Sequence, residues 1–338
     1  MHPIARVAAL SVVVATLNAC HGSPTEPVPR LIGCHNTPAP AAVSTTHPAG
    51  TLSARASGLT GRPYGISVSS AGVVLVTQQD ANSVARFTLA DPVSRVSVPT
   101  GGDPGDVVFS HDGRTAYVSN FFDGTVRVVD VVSGQGIRLL TVDPFNAYRL
   151  ALSPDDTQLY VTSTSGRLYV VDPSGGQPTL SVQLAGSLQG IALSRDGLTL
   201  MASSTSGAVY RLNACTLATL ATTQLTSSAQ DIALSADQTE LYVASESGRV
   251  DALDATSLNW LRGLSFVSLR PFGLSVTPDG AQLYVASPTT GQVAIIDRGS
   301  GTTLLTLATG GTPRRIAFDA TGSTAVVSNE GNWVDVIR

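Results

Sequence analysis

The chain has 338 residues, 43% hydrophobic and only 13% charged, with 32 glycines and a formal net charge of -4. Charged residues make up about a quarter of an average globular chain, so this profile fits many short strands and tight turns better than long amphipathic helices. The slight acidity argues against a nucleic-acid or anionic-membrane surface, and with all 20 basic residues arginine there is no lysine nucleophile, Schiff base or P-loop lysine.

Residues 1–19 read as an export signal. Arg6 gives a basic start and residues 7–16 an apolar run too short to span a bilayer. The run ends Leu17-Asn18-Ala19-Cys20, which resembles the lipobox of bacterial lipoproteins, with Cys20 as the lipidated residue. The other reading is an ordinary signal peptide cut near Ala19, leaving Cys20 a plain thiol. Residues 20–50 follow, with Pro24, Pro27, Pro29, Pro38, Pro40 and Pro48 among small polar residues. Such a segment is a partly polyproline-like tether.

From residue 51 to 338 the chain repeats. In 104–134, three short β-branched runs are separated by polar turns that each contain Asp-Gly, the pattern of an antiparallel meander. Its opening residue, Val107, has counterparts at Ile66, Leu150, Ile191, Ile232, Leu274 and Ile316, spaced 41, 43, 41, 41, 42 and 42 residues apart. Turn words such as SRDG (194–197) and TPDG (277–280) follow each anchor. A second run then reads AYVSN (116–120), LYVTS (159–163) or LYVAS (241–245), and a third ends in Asp or Asn, as in VRVVD (126–130). A fourth run precedes the next anchor. Four strands in each unit of ~40 residues predict an all-β, seven-bladed β-propeller of four-stranded blades. The last unit stops after its third strand, while 51–59 stand where a fourth belongs, so the N-terminal strand is expected to complete the last blade and remove the open edges.

These repeat words resemble the YVTN family of bacterial and archaeal β-propeller repeats, a group that includes surface-layer propellers, over the whole of 51–338. The resemblance is specific for fold and almost silent on activity. It implies a lactonase-like hydrolase as one alternative, because some seven-bladed propellers of similar repeat hydrolyse lactones, whereas the tether, the repeat and the absence of catalytic sets point to an envelope-anchored binding propeller.

Ligands of propellers gather where loops converge on the central channel. The residues just before the anchors are Gly65, Asp106, Arg149, Gly190, Asp231, Gly273 and Arg315, and one step earlier come Tyr64, Tyr148, Phe272 and Arg314. This predicts a polar ring at the channel mouth, in which Asp106, Arg149, Asp231, Arg314, Arg315, Tyr64 and Tyr148 either bind a small polar or anionic ligand or pair across blades. The second-to-third-strand loops of blades seven, one and two are the richest. Phe121, Phe122 and Trp333 there form a candidate rim for a protein or glycan partner, or fold down between blades.

Metal and catalytic signatures are weak. The propeller has one histidine, His111, in a remote turn, and no His/Cys/carboxylate cluster has ligand spacing, so neither a metal nor a cofactor is expected. Asp130, Asp172, Asp254 and Asp297 recur at one turn and read as caps. Cys34 in the tether and Cys215 in blade four form a disulfide or remain two free thiols; in an oxidising compartment a bridge would pin the tether. The expectation is a monomeric, non-enzymatic propeller on a lipid anchor in the cell envelope, binding an unknown envelope protein or small polar ligand. A lactonase-like hydrolase would have to use Asp106 or Asp231 with Arg149 or Arg315.

Overall fold

The computed structural model describes residues 45–338 except Phe145, Glu246 and 266–269. Within these residues the chain folds into seven four-stranded antiparallel sheets, with a 3-10 turn at Gln79–Ala81 between two of the strands. Blade two shows the pattern: Pro104–Phe109, Thr115–Asn120, Thr125–Asp130 and Gln135–Thr141 pair in that order. The first strand of every blade touches the first strands of the blades on either side, and that of blade seven touches that of blade one. The sheets therefore stand as blades around a central channel. At the seam between blades seven and one, Leu52–Ser57 pairs with Trp333–Ile337, and Thr51 and Arg338 exchange two backbone hydrogen bonds at 2.8 and 2.9 Å.

The reason these strands are apolar on both faces lies in the packing. Each core cluster is shared by two blades. Tyr117, Val126 and Leu140 of blade two pack on Leu150, Leu159 and Val161 of blade three, while Val326, Val334 and Ala56 of blade seven pack on Ile66, Val74 and Phe87 of blade one. An isolated meander would leave this area wet; at roughly 25 cal/mol per Å2 of apolar surface, covering both faces is what stabilises a blade.

The recurrent polar words are turn chemistry. In the first-to-second-strand turns, Ser110, Ser153, Ser194, Ser235 and Thr277 each donate to the aspartate two residues on, at 2.5 to 2.7 Å. The third strands end on Asp130, Asp254 and Asp297 or, in blade three, just before Asp172, and each of these aspartates accepts the backbone N–H of a Ser in the following turn at 2.7 Å. Cys215 lies in the corresponding turn of blade four, between Ala208–Asn213 and Thr219–Gln224, and is disulfide-bonded. Cys20 and Cys34 lie outside the described residues, as do the signal 1–19 and the tether up to residue 44. The last tether residues pack on blades six and seven: Thr46 donates to the Thr321 carbonyl at 2.7 Å, His47 Nδ1 meets Asp279 Oδ2 at 2.7 Å, and Pro48 and Gly50 are buried.

Candidate functional site at the channel mouth

Six blades break register between first and second strands at the same place, within the residues leading to the anchor: Pro63/Ile66, Pro104/Asp106, Ala147/Leu150, Leu188/Gly190, Ala229/Ile232 and Pro313/Ile316. A bulge bends its strand and re-aims the residue it carries. Here it falls on the residue that precedes each anchor.

Around the ring these residues alternate in charge. Asp106 of blade two and Arg149 of blade three are neighbours. Gly190 of blade four separates Arg149 from Asp231 of blade five, Gly273 of blade six separates Asp231 from Arg315 of blade seven, and Gly65 of blade one separates Arg315 from Asp106. The glycines are needed for closeness. A Cβ on Gly273 would stand 1.9 Å from the Arg314 carbonyl, and one on Gly65 would stand 2.7 Å from the Gly105 carbonyl. With the first strands drawn in, the four charges meet. Arg149 Nη1 donates to Asp106 Oδ1 at 3.0 Å and Nη2 to Asp231 Oδ1 at 3.1 Å, while Arg315 Nη1 lies 2.6 Å from Asp231 Oδ2. Asp106 Oδ2 also accepts the Leu150 N–H at 3.0 Å, and Asp231 Oδ2 the Leu274 N–H at 3.3 Å. Asp106, Asp231 and Arg315 are only 4%, 3% and 2% exposed.

The two carboxylates differ. Burial pushes both upward. Asp231 faces two guanidiniums, and Arg315 and Arg149 together outweigh burial and hold it below the usual carboxylate range. Asp106 pairs directly with Arg149 alone, and burial keeps its carboxyl above that range. Burial also pushes the Tyr64 phenol upward. Three guanidinium nitrogens in the cluster, Arg149 Nε, Arg315 Nε and Arg315 Nη1, are buried with no hydrogen-bond partner, Nη1 meeting Asp231 as an ion pair only. Each such orphan costs about 1–3 kcal/mol.

Aromatic rings extend the cluster sideways. Tyr64 and Tyr148 share a hydroxyl–hydroxyl hydrogen bond, and Arg315 Nη2 donates to Tyr148 Oη at 3.5 Å. Ring centroids run Phe122 to Phe121 at 5.6 Å, Phe121 to Tyr148 at 6.1 Å, Tyr148 to Tyr64 at 6.3 Å, and Tyr64 to Phe272 at 6.2 Å. Arg314 lies over Phe272 at 4.6 Å and pairs with Glu330 at 2.9 Å. The arc thus crosses the mouth from blade two to blade six. Its outer end is exposed: Phe122 is 64% accessible, although its backbone N–H is pinned to the Gly102 carbonyl at 3.1 Å.

Asp106, Arg149, Asp231, Arg315, Tyr64 and Tyr148 are therefore brought together, and Arg314 sits at their edge. Phe121 and Phe122 stack on each other and lead to Tyr148. Trp333 is held elsewhere, under the Arg55 guanidinium at 4.3 Å, with Nε1 donating to Asp335 Oδ2 at 2.8 Å. Among the described residues, no group of three or more His, Cys, Asp or Glu is placed to hold a metal ion.

Sequence reasoning missed a set of hydroxyl clasps. Ser119 Oγ accepts the Asp106 N–H at 2.9 Å and donates to the Tyr148 carbonyl of the next blade at 2.6 Å. Ser203 does the same between the Gly190 N–H and the Gln230 carbonyl, both at 2.9 Å, and Ser328 joins the Arg315 N–H to the Tyr64 carbonyl. The signal was present as the Ser or Thr of AYVSN, LYVTS and AVVSN, which looked like ordinary strand residues.

Comparison with known proteins gives one family-level likeness. Residues 122–266, from the second-to-third-strand loop of blade two to the end of blade five, match the family model described as outer membrane protein assembly factor BamB. No curated protein matches the chain. By geometry the chain is a seven-bladed β-propeller, and over 122–266 its repeats are similar to those of that assembly factor.

Proposed function

We propose that this chain is a non-enzymatic propeller of the cell envelope that docks a protein partner on its channel-mouth face, in a role of the assembly-factor type. The observation that carries this reading is the aromatic arc. Phe122 is exposed at a fixed position, backed by Phe121 and Tyr148, and large aromatics in such a setting are the residues on which protein interfaces concentrate their energy. The loop is pre-organised, because Phe121 N–H donates to the Asp103 carbonyl and Asn146 N–H to the Phe121 carbonyl, so little ordering entropy is lost on docking. The likeness of 122–266 to an outer membrane protein assembly factor supports a partner in outer-membrane protein assembly. In this reading residues 1–19 are a lipoprotein signal, Cys20 carries the lipid, 20–50 tether the domain, and 51–338 are a monomeric propeller with no cofactor or metal. Cys34 pairs with Cys215. Trp333 contributes at most a rim contact, because Arg55 and Asp335 already hold it.

The lactonase-like alternative has less support. It needs a carboxylate free to act as a base, and every oxygen of Asp106 and Asp231 is engaged by a guanidinium or a backbone N–H. The test is co-purification of the lipidated chain with the outer-membrane assembly machinery of its host. Phe121→Ala/Phe122→Ala is expected to lose at least about tenfold of the bound partner, the loss of one hot spot. Retention of the partner by that variant, with Asp106→Asn losing it instead, would overturn the rim reading.

A further inference from the structure

The channel beneath the charged cluster is not filled. A cavity of about 420 Å3 runs from Asp106, Arg149, Asp231 and Arg315 along the first strands, past Ser67, Leu150, Ala192, Ala233 and Ser275, to Gln238 in a first-to-second-strand turn. The salt-bridge cluster lines one end, and Gln238, in a turn on the face opposite Phe121 and Phe122, lines the other. The walls are polar in a particular way. Each first strand pairs with its second strand along one edge and turns the other to the channel, as the Leu150 and Leu274 N–H groups show by reaching across to neighbouring carboxylates.

A donor–acceptor count at the cluster end is one-sided. Both oxygens of Asp106 and both of Asp231 are taken, whereas Arg149 Nε and Arg315 Nε have no acceptor. Arg315 is 2% exposed, so its orphan N–H can be met only by something that enters the channel. What the floor lacks is an acceptor. We propose that the central channel is a binding site for one small oxyanion, a carboxylate or a phosphate, which enters from the first-to-second-turn face and lodges against the guanidiniums of Arg149 and Arg315. A planar or tetrahedral oxyanion presents acceptors at the spacing of guanidinium donors, and the cavity admits a ligand of modest size. Both Nε–H groups are buried, so the bound anion has to turn the guanidinium planes to meet them. This site adjoins the aromatic arc through the Arg315–Tyr148 hydrogen bond, and its readout, anion binding, is distinct from partner docking on Phe121 and Phe122.

The purified mature chain is titrated by calorimetry with acetate, succinate and inorganic phosphate. The expected result is saturable binding at one site per chain, with the responding anion assigning carboxylate or phosphate. Asp106→Asn removes a like charge from the floor while keeping an acceptor for Arg149, and is expected to tighten anion binding about tenfold. Arg315→Gln is expected to abolish it, with circular dichroism reporting whether that variant folds. Crystals soaked in bromoacetate locate the site directly, because bromine is expected in the channel within reach of both arginines. No saturable heat with any of the three anions overturns the proposal. So does bromine in the channel only at soak concentration, or an ordered water on the Nε–H groups that no anion displaces.

Discussion

Two seams of the ring solve one problem differently. Between blades four and five the Ser203 hydroxyl bridges the Gly190 N–H and the Gln230 carbonyl. Between blades five and six the matching residue is Ala244, which has no hydroxyl, and the seam is crossed instead by Asp231, whose carboxylate accepts the Leu274 N–H. Asp231 remains ionised there because Arg149 and Arg315 flank it. One seam is neutral and self-contained. The other rests on charges supplied by blades three and seven, so it is coupled to closure of the whole ring.

This contrast can be broken at several points. The largest effect is expected from Arg315→Met, which leaves Asp231 buried with one guanidinium. Breaking a buried pair in this way costs about 3–5 kcal/mol, measurable by urea denaturation. A cost below about 1 kcal/mol would mean that the five–six seam does not depend on the charge cluster. Ser203→Ala leaves a buried N–H and carbonyl without their bridge, and is expected to cost about 1–3 kcal/mol with no added dependence on salt.

The pH dependence sharpens the distinction. Asp231 has a depressed folded-state pKa, so its stabilisation is present above the usual value of 3.8 and is lost as pH falls through the lower folded value. Asp106 has a raised folded-state pKa, so its contribution is fully present below 3.8 and is lost as pH rises through the higher folded value. Asp231→Asn should therefore flatten the acid limb of the stability curve below pH 3.8, whereas Asp106→Asn should remove a gain that the parent chain makes on acidification above it. Identical curves for the two variants would sink the assignment. The smallest effect is expected from Ala244→Ser, which supplies the missing hydroxyl and should change stability by less than about 1 kcal/mol, because Asp231 already crosses that seam.

The channel mouth was partly legible in the sequence. Asp106, Arg149, Asp231 and Arg315 occupy one position of the repeat, so a period of 41 to 43 residues suffices to place them near one opening. The clasps were harder to read, since Ser119, Ser203 and Ser328 sit inside strand words where Ser and Thr need no special reason. Trp333 shows the opposite limit. Its ring could join Phe121 and Phe122 or fold down between blades, and Arg55, nearly the whole chain away in sequence, covers it. The disulfide of Cys215 was only one of two open readings, because thiol pairing depends on a distance that spacing does not supply.

By itself the sequence determined the blade. Short β-branched runs, Asp-Gly turns and a fixed period are local properties, and each unit carries its own turn chemistry and its own need for a neighbour on both faces. Only the tertiary structure decided what the ring does with its charges. Whether Asp106 and Arg149 face a ligand or each other depends on the channel radius, which is set by seven blades closing and by Gly65, Gly190 and Gly273 letting first strands approach. At that radius opposite charges on non-adjacent blades come within hydrogen-bond reach, and in a buried setting pairing is their most stable state.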